Sequence, residues 1–447
     1  MKKKFVRRQP PAVLLSFGFA ALILLGSLLL MLPISNRDGQ YMPFLNALFE
    51  ATSATCVTGL TVYDPYTQFT LFGQIVLLIL IQIGGLGFVT VIFLFLLSRR
   101  KKIGLNQRSL LMESVSALQL DGIVPLVKLI LGGSLFLELA GALLFSIRFV
   151  PLFGWKQGLW FSLFHAVSSF CNAGFDLLGA REAPSLISFQ NDPLVLLTAA
   201  FLVLLGGLGF VVWSDLLHKR FQWKKLELHT QIVLTTTMLL IVIPLFFYIM
   251  SEQNASLAGM TPLDSMVNAF FLTVTPRTAG FSNVDLSTLS PAGKLMMMAL
   301  MIAGAAPGGT GGGLKITTLV LIGMTVWEWL HSTETVDTPI GRYRIDHLVV
   351  RRAFVTASLY ILLAVLGSYI LCLCGEGVEE SLFECISAVG TVGVTLGITP
   401  TLNDISKLTV IALMFIGRLG GMTVFLALSR PSASEKVKNP VGKLIIG

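Results

Sequence analysis

The chain has 447 residues, of which 54% are hydrophobic and only 13% are charged. Soluble domains carry about 25% charged residues, so this composition excludes an ordinary soluble globular protein. Many uncharged runs reach about twenty residues, the length that crosses a bilayer core as a helix. The net charge of +8 does not indicate a nucleic-acid surface, because Lys and Arg gather in segments predicted to face one side of a membrane.

The N-terminal sequence MKKKFVRR leads into a long apolar stretch without a small-residue cleavage site. This pattern predicts a first transmembrane helix rather than a signal peptide. Basic clusters at Arg99–Lys102 and Lys219–Lys225 predict inner loops, and the same rule places both termini on the inner side. The predicted outer loops are acidic, which would concentrate cations near the outer face.

One order of elements occurs four times along the chain: a long apolar helix, a short helix, a glycine-containing loop and a second apolar helix. The first helices are predicted at 13–32, 124–147, 231–250 and 352–373, the short ones at 43–54, 158–169, 263–274 and 378–388, and the second ones at 72–97, 194–217, 293–330 and 405–428. Because the short helices are too short to span a bilayer, they are predicted to be re-entrant.

The predicted fold class is therefore an all-α integral membrane protein with eight transmembrane helices and four re-entrant pore helices. Its four M1–pore helix–M2 repeats are expected in a pseudo-fourfold arrangement. The predicted repeats are D1 (1–98), D2 (99–218), D3 (219–349) and D4 (350–447).

Four segments around the short helices align without gaps. They are LFEATSATCVTGL (48–60), LFHAVSSFCNAGF (163–175), AFFLTVTPRTAGF (269–281) and LFECISAVGTVGV (382–394). Each has a Phe ten residues before one glycine, and Ser53, Ser168 and Ser387 lie six residues before that glycine in three of them. The glycines, Gly59, Gly174, Gly280 and Gly393, are 115, 106 and 113 residues apart. A near-constant interval indicates an internal repeat.

Non-helical backbone at membrane depth must be buried in protein or face water, so four equally placed loops are predicted to meet on one axis. Glycine permits the left-handed angles that such loops need. Their carbonyl oxygens could then replace the hydration shell of a cation. A monovalent cation is favoured, because no loop has a carboxylate at the glycine or in the three residues before it. The alternative is that each glycine only caps a helix.

The second helices of the first, second and fourth repeats share a motif, which is Gly84-Gly85-Leu86-Gly87, Gly206-Gly207-Leu208-Gly209 and Gly417-Arg418-Leu419-Gly420. Arg418 thus replaces a glycine. A charge at the bilayer centre costs about 2.5–3.5 kcal/mol, so Arg418 is predicted to project into a water-filled cavity and to form an electrostatic barrier to cations. The alternative is a structural anchor paired with a carboxylate.

The third repeat contains AGAAPGGTGGGLK (303–315), whose glycines and proline interrupt the second helix. This stretch is predicted to be a loop inside the membrane whose carbonyls are held by Lys315 and Arg418. The alternative is a simple hinge. A phosphate-binding loop is rejected, because no Ser or Thr follows Lys315 and no strand precedes the motif.

Arg277 lies three residues before Gly280, where the other repeats have Cys56, Cys171 and Gly390. A buried guanidinium needs a counter-ion, which predicts a carboxylate partner. The candidates are Glu50, Glu138 and Glu384, and these three with His165 are predicted to brace the loops from behind. The five cysteines give no disulfide framework, and Cys372-Leu-Cys374 is a weak metal motif.

These motifs resemble the Ktr/Trk/HKT superfamily of potassium transporters, and most closely its bacterial KtrB-type subunits. The resemblance covers nearly the whole chain and rests on TCVTGL, FCNAGF, PRTAGF and GTVGVT, with QIGGLGF, GGTGGGLK and MFIGRLG. It implies potassium uptake across the bacterial plasma membrane through a selectivity filter, with an intramembrane gate loop at 303–314.

The resemblance also implies which residues form these sites. The implied filter residues are Thr55, Cys56, Val57, Thr58, Gly59, Cys171, Asn172, Ala173, Gly174, Arg277, Thr278, Ala279, Gly280, Gly390, Thr391, Val392 and Gly393, with K+ bound at the four glycines. The implied gate residues are Gly304, Ala305, Ala306, Pro307, Gly308, Gly309, Thr310, Gly311, Gly312, Gly313, Lys315 and Arg418.

The implied partners are a second copy of the chain, a separate cytosolic nucleotide-binding ring of the KtrA type and membrane lipid, without nucleic acid or a covalently bound cofactor. Segments 99–122 and 331–349 are expected docking surfaces, and the tail NPVGKLIIG is expected at a subunit interface. Only one glycine is constant among the four loops, so sodium coupling and a less selective Na+/K+ channel stay open.

Two further classes of function fit the sequence less well. A membrane enzyme needs acid–base or metal groups that converge at one depth, whereas the ionisable residues here are spread over different repeats. A secondary transporter of another solute usually has inverted repeats, whereas these four run in the same orientation.

Overall fold

The structure is a computed structural model that describes residues 11–87, 112, 123–179, 181, 185–331, 338–340 and 343–420. In chain order its helices are α1 (Pro11–Met31), α2 (Phe44–Cys56), α3 (Pro65–Gln68), α4 (Leu71–Leu86), α5 (Ile123–Phe153), α6 (Trp155–Phe170), α7 (Pro193–Gly207), α8 (Phe210–His218), α9 (Leu228–Ser251), α10 (Pro262–Val274), α11 (Pro291–Ala303), α12 (Ile316–His331), α13 (His347–Leu373), α14 (Val378–Gly390) and α15 (Asp404–Leu419). Short 3-10 turns lie at Pro33–Ser35, Ile187–Phe189, Trp223–Lys225, Leu286–Thr288 and Thr399–Thr401.

The molecule is mainly helical, as the sequence predicts. The exception among the described residues is a small antiparallel hairpin of β1 (Thr338–Ile340) and β2 (Tyr343–Ile345). It falls in the segment 331–349 that the sequence predicts as a docking surface. The expected docking segment 99–122, except for residue 112, and the C-terminal tail lie outside the described residues.

Four helices, α1, α5, α9 and α13, are long and apolar enough to cross a membrane, and they are the first helices of the four repeats. Counting the bent pair α7 and α8 as one span raises the number within the described residues to five, against the eight expected. The prediction of one continuous helix over 194–217 is wrong, because α7 and α8 meet at 88°.

The second helices end at or next to glycines, and the sequence predicts an interruption only at the one in the third repeat, Gly304. Gly87, Gly209, Gly304 and Gly420 have φ angles of +81°, +90°, +65° and +82°. Left-handed backbone cannot continue a right-handed helix, so each helix stops there. The predicted continuations of α4 and α15 beyond these glycines lie outside the described residues.

The opposite ends of the second helices begin at side-chain caps. Thr70, Asp192, Ser290 and Asn403 each accept a hydrogen bond from a backbone N–H in the first turn of their helix. In two repeats a proline follows the cap, where its missing N–H costs nothing. These signals place the start of all four second helices at equivalent points.

The packing of the helices closes a ring. Each short helix, α2, α6, α10 and α14, packs against the long helix of its own repeat and against a second helix of the preceding repeat: α15 on α2, α4 on α6, α7 on α10 and α11 on α14. A hydrophobic cluster runs continuously through all four repeats. The outer faces of the long helices expose apolar residues such as Phe136, Phe246 and Ile361, as expected for contact with lipid.

The first glycine of the shared motif in the second helices allows this close packing. A Cβ added to Gly84, Gly206 or Gly417 would collide with the carbonyl oxygen of Thr55, Phe170 or Val389, respectively. Each of these carbonyls lies four residues before the glycine of its repeat's loop. Glycine is therefore required here for steric reasons, which the sequence motif does not reveal by itself.

We predict that Gly206→Ala lowers stability, because the added methyl group must displace the backbone of α6. The cost should be about 1–3 kcal/mol, as for other overpacked cores. The matched control is Gly132→Ala in α5, where an added Cβ has no heavy atom within 4 Å and the better helix propensity should stabilise by up to about 1 kcal/mol. Thermal unfolding in detergent measures both, and equal midpoints for the two variants would contradict this account.

Candidate functional site

The four predicted loops adopt one backbone conformation. Gly59, Gly174, Gly280 and Gly393 have φ angles of +98°, +70°, +82° and +95°, and the residues two positions earlier, Val57, Asn172, Thr278 and Thr391, have φ angles of +57°, +60°, +70° and +50°. A β-branched residue with positive φ is a genuine outlier. Such residues cost about 1–3 kcal/mol each and persist where the surrounding structure holds them. Val57, Thr278 and Thr391 are such outliers, whereas Asn172 is of a type that tolerates positive φ, and their equivalent positions point to a shared role.

The four loops contact each other around a ring. A Cβ added to Gly59 would lie 2.7 Å from the Ala173 carbonyl oxygen, one added to Gly174 would lie 2.9 Å from the Ala279 oxygen, and one added to Gly280 would lie 2.8 Å from the Val392 oxygen. The ring closes where a Cβ on Gly393 would collide with the Thr58 oxygen. The carbonyl before each glycine thus abuts the glycine of a neighbouring repeat, so the loops converge as predicted.

A side-chain hydroxyl holds each loop. Gly59 and Gly393 donate their N–H groups to the Ser53 and Ser387 hydroxyls at 3.1 and 3.0 Å, and the Ser168 hydroxyl donates to the Phe175 carbonyl at 2.7 Å. In the third repeat the Thr275 hydroxyl donates to the Phe281 carbonyl. Sequence alignment missed Thr275, because Val274 occupies the serine position and the hydroxyl comes one residue later.

Polar groups on the short helices also hold the chain just after the loops. Glu50 accepts hydrogen bonds from the Val62 and Tyr63 N–H groups at 2.8 and 3.1 Å, and Glu384 accepts one from the Thr395 hydroxyl at 2.7 Å. His165 Nε2 lies 3.5 Å from the Leu177 nitrogen. The third repeat has Phe271 at this position.

The third repeat replaces this contact with an asparagine pair. The Asn283 side-chain amide donates to the Asn268 side-chain oxygen at 2.8 Å and to its backbone carbonyl at 3.1 Å. Asn283 lies three residues after Gly280, as Val62 does after Gly59. Sequence reasoning missed this pair, because Asn268 lies three residues before the position of Glu50, His165 and Glu384, and Asn283 aligns with apolar Val62, Leu177 and Leu396.

The predicted carboxylate partner of Arg277 is wrong. Among the described residues no carboxylate lies within salt-bridge distance of this buried guanidinium, which donates to the Thr237 hydroxyl at 3.3 Å. Glu50 and Glu384 accept from the chain after the loops instead. Glu138 accepts from the Gln82 side chain at 2.9 Å, and Gln82 in turn lies 3.6 Å from the Cys171 sulfur, so Glu138 reaches the second loop indirectly.

An open cavity of about 390 Å³ lies on one side of the ring. The four glycines line it together with Asp64, Asp176 and Asp285. Burial, opposed by the Leu178 hydrogen bond and reinforced by the nearby Asp64 carboxylate, raises the pKa of Asp176 to about 7. The three carboxylates would attract cations to the cavity. Its negative charge would increase as pH rises through neutrality, because Asp176 loses its proton there.

On the other side, the inner loop (residues 304–315) packs directly against the glycine loops. A Cβ on Gly311 or Gly312 would collide with the Thr278 or Thr391 hydroxyl, so both glycines are needed for this contact. The Thr310 hydroxyl donates to the Phe170 carbonyl at 3.1 Å. The third repeat is therefore interrupted beneath the ring, as the sequence predicts.

The backbone of the inner loop hydrogen-bonds to the last turns of two second helices and to the start of α8. Ala306 N–H donates to the Gly207 carbonyl at 3.1 Å, and Phe210 N–H donates to the Gly308 carbonyl at 2.9 Å. Gly313 N–H donates to the Gly417 carbonyl at 3.2 Å. Backbone without helical partners can exist at membrane depth only with such substitutes.

Two cations hold the remaining carbonyls. Arg418 donates to the Thr310 carbonyl of the inner loop and to the Gly84 carbonyl, and to the Gly85 carbonyl at 3.2 Å. Lys315 Nζ donates to the carbonyls of Gly311 and Gly312 at 2.8 and 3.2 Å. Arg418 thus connects the inner loop to the end of α4. Within the described chain it has no carboxylate partner, which disfavours the predicted alternative of a carboxylate-paired anchor.

Comparison with known proteins identifies the family. The model of the TrkH family, described as cation transport protein, matches residues 9–438. The chain belongs to the TrkH family of cation transport proteins. This confirms the resemblance drawn from the motifs and makes the chain a multi-pass membrane protein of a transporter family rather than of an enzyme family.

Two relatives match over nearly their full length. Potassium/sodium uptake protein NtpJ of Enterococcus hirae is 40% identical, covering 100% of this chain and 99% of that protein. Ktr system potassium uptake protein B of Bacillus subtilis is 38% identical, covering 99% and 98%. The crystal structure of the potassium transporter TrkH from Vibrio parahaemolyticus shares the fold, with a TM-score of 0.75 at 18% identity over 96% of this chain and 86% of that one.

We predict that Thr275→Val destabilises the protein, because the buried Phe281 carbonyl loses its hydroxyl donor. An unsatisfied buried polar group costs about 1–3 kcal/mol. Thr275→Ser keeps the hydroxyl and is the matched control. Thermal unfolding should rank wild type and Thr275→Ser above Thr275→Val, and a Val variant as stable as the Ser variant would show that the hydroxyl does not hold the loop.

Proposed function

We propose that the protein takes up potassium across the bacterial plasma membrane through a pore on the axis of the four glycine loops. The observation that carries this proposal is the ring in which the carbonyl before each glycine contacts the glycine of a neighbouring repeat. The names of the relatives, a potassium/sodium uptake protein and a Ktr system potassium uptake protein, support potassium as the cargo. Carbonyl oxygens suit a dehydrated monovalent cation.

The proposed architecture is four M1–pore helix–M2 repeats in a pseudo-fourfold arrangement, with the repeat bounds expected from the sequence. The ring of contacts among short and second helices supports it. In this arrangement the loops at Thr55–Gly59, Cys171–Gly174, Arg277–Gly280 and Gly390–Gly393 form the selectivity filter, and K+ binds at the level of the four glycines. The filter is braced by the hydroxyl hydrogen bonds within each loop and by the contacts of Glu50, His165 and Glu384.

The inner loop, which overlaps the expected gate segment 303–314 and adds Lys315, is proposed to be the gate. It packs directly beneath the filter, and Arg418 joins it to the end of α4. Movement of the loop would break these hydrogen bonds and open a path from the filter to the inner side. The guanidinium on this path also repels cations while the loop is in place.

The proposed assembly is a homodimer regulated by a separate cytosolic nucleotide-binding ring, with both termini inside. This part rests on the family resemblance. A less selective Na+/K+ pathway is the second candidate, because the constant residue among the four loops is a single glycine and one relative is named for both ions. Sodium coupling belongs to the same proposal.

Ion-replacement flux in liposomes tests the function, with Gly280→Ser as the decisive variant. A Cβ at Gly280 would lie 2.8 Å from the Val392 oxygen and 3.2 Å from the Thr58 oxygen. We expect potassium uptake that exceeds sodium uptake in the wild type, and a preference that falls by roughly tenfold, or about 1.4 kcal/mol, in the variant.

The matched control for that experiment is Gly259→Ser. Gly259 also has positive φ, +77°, but an added Cβ there has no heavy atom within 4 Å. It should keep the wild-type preference. Unchanged preference in Gly280→Ser would remove Gly280 from the filter, and wild-type liposomes that take up no monovalent cation would end the proposed function.

We predict that Arg418→Ala raises potassium flux, because it removes both the charge on the path and the bonds that hold the inner loop. Arg418→Lys keeps the charge but cannot reach the carbonyls of both Thr310 and Gly84, so its flux should be intermediate. Arg148→Ala, which breaks an exposed ion pair with Asp192, is the control and should match wild type. A folded Arg418→Ala protein with unchanged or lower flux would contradict the gate.

A further inference from the structure

An apolar cavity of about 140 Å³ lies beside the inner loop, between the third and fourth repeats. Its walls include Met301 of α11, Leu314 of the inner loop, Ala364 of α13 and Val389 and Gly390 of α14. The lining is almost entirely apolar. An apolar cavity of about 150 Å³ engineered into another protein stays dry and binds benzene or xenon, so this volume suits hydrocarbon rather than water.

The cavity opens towards the surface that faces lipid. Its rim contains Ile361 and Val365 of α13, which are 57% and 53% exposed, and Ile302 of α11, which is 37% exposed. Helix α13 is one of the four helices long and apolar enough to cross a membrane. In a bilayer the medium in front of this opening is therefore lipid acyl chain.

Residues in the walls of the cavity contact the inner loop and the residues that precede the fourth glycine loop. Tyr360, a cavity residue, donates its hydroxyl to the Gly417 carbonyl at 3.1 Å, and Gly313 N–H donates to the same carbonyl at 3.2 Å. Gly417 immediately precedes Arg418. A Cβ on Gly313 would lie 2.5 Å from the Gly390 oxygen. Whatever fills the cavity thus supports Leu314 and its neighbours from the lipid side.

We propose that the cavity binds the end of a membrane-lipid acyl chain, and that this chain holds the inner loop in its present position. The inner loop can move away from the glycine loops only if Leu314 moves with it. An acyl chain in the cavity would occupy the space into which Leu314 could move. Acyl-chain binding in the cavity does not depend on the proposed function, whereas the effect on potassium flux does.

Binding is tested by cryo-electron microscopy of the full chain in nanodiscs of phosphatidylcholine whose stearoyl chain carries bromine near its end. We expect bromine density between Leu314 and Ala364. Ala364→Leu fills the cavity and should lose this density, whereas Leu362→Phe, which enlarges an exposed residue of α13 outside the cavity, should keep it. If Ala364→Leu does not fold, Ala357→Leu fills the same cavity.

The binding proposal is overturned if wild-type protein shows no bromine in the cavity, if the density survives in the filled variants, or if a second copy of the chain covers the opening. Because this readout needs no transport, its failure is separate from a failure of the proposed function.

The effect on the loop is tested by potassium flux in liposomes of straight-chain and of methyl-branched lipid, whose chain ends are too wide for the cavity. Wild type and Leu362→Phe should conduct roughly fivefold faster in branched lipid, the lower end of typical coupling between sites. Ala364→Leu should conduct equally in both lipids, because its own side chain replaces the acyl chain. Equal flux of wild type in both, or the same response in Ala364→Leu, would overturn the coupling.

Discussion

A peptide group inside a membrane must find its hydrogen-bond partners within the protein, because the hydrocarbon offers none. The centre of this molecule contains five stretches of non-helical backbone, the four glycine loops and the inner loop. They contact one another: the glycine loops abut around a ring, and the inner loop hydrogen-bonds to Gly207 and Gly417 in the last turns of α7 and α15. The five stretches are therefore packed against one another, and in the proposed function they form the pore and its obstruction as one unit.

The two cationic side chains near the inner loop also supply hydrogen bonds to backbone carbonyls. Arg418 and Lys315 place positive groups beside several carbonyl oxygens, three of which accept hydrogen bonds from Arg418 and two from Lys315. In the proposed function the groups that stabilise the inner loop also oppose a passing cation. The closed path and the repulsion of the cargo would then have one structural origin, and a conducting state would require new partners for the same carbonyls.

The sequence predicted what depends on spacing. The constant interval between Gly59 and its counterparts located four equivalent loops, and the density of glycines located the inner loop. The sequence did not predict where a helix ends or where a side chain points. Apolar patterning cannot show that a helix stops at Gly209, because leucine and glycine are equally compatible with a membrane interior. A carboxylate predicted as the counter-ion of Arg277 points elsewhere, and a one-residue shift concealed Thr275.

In the proposed function a dehydrated monovalent cation binds on the axis of the four glycine loops. Crystals of the protein grown with thallium in place of potassium test this binding, because thallium scatters anomalously and resembles potassium in size and charge. We expect an anomalous peak surrounded by the carbonyl oxygens of Thr58, Ala173, Ala279 and Val392. A peak confined to another part of the molecule, with the space between these loops empty, would contradict it.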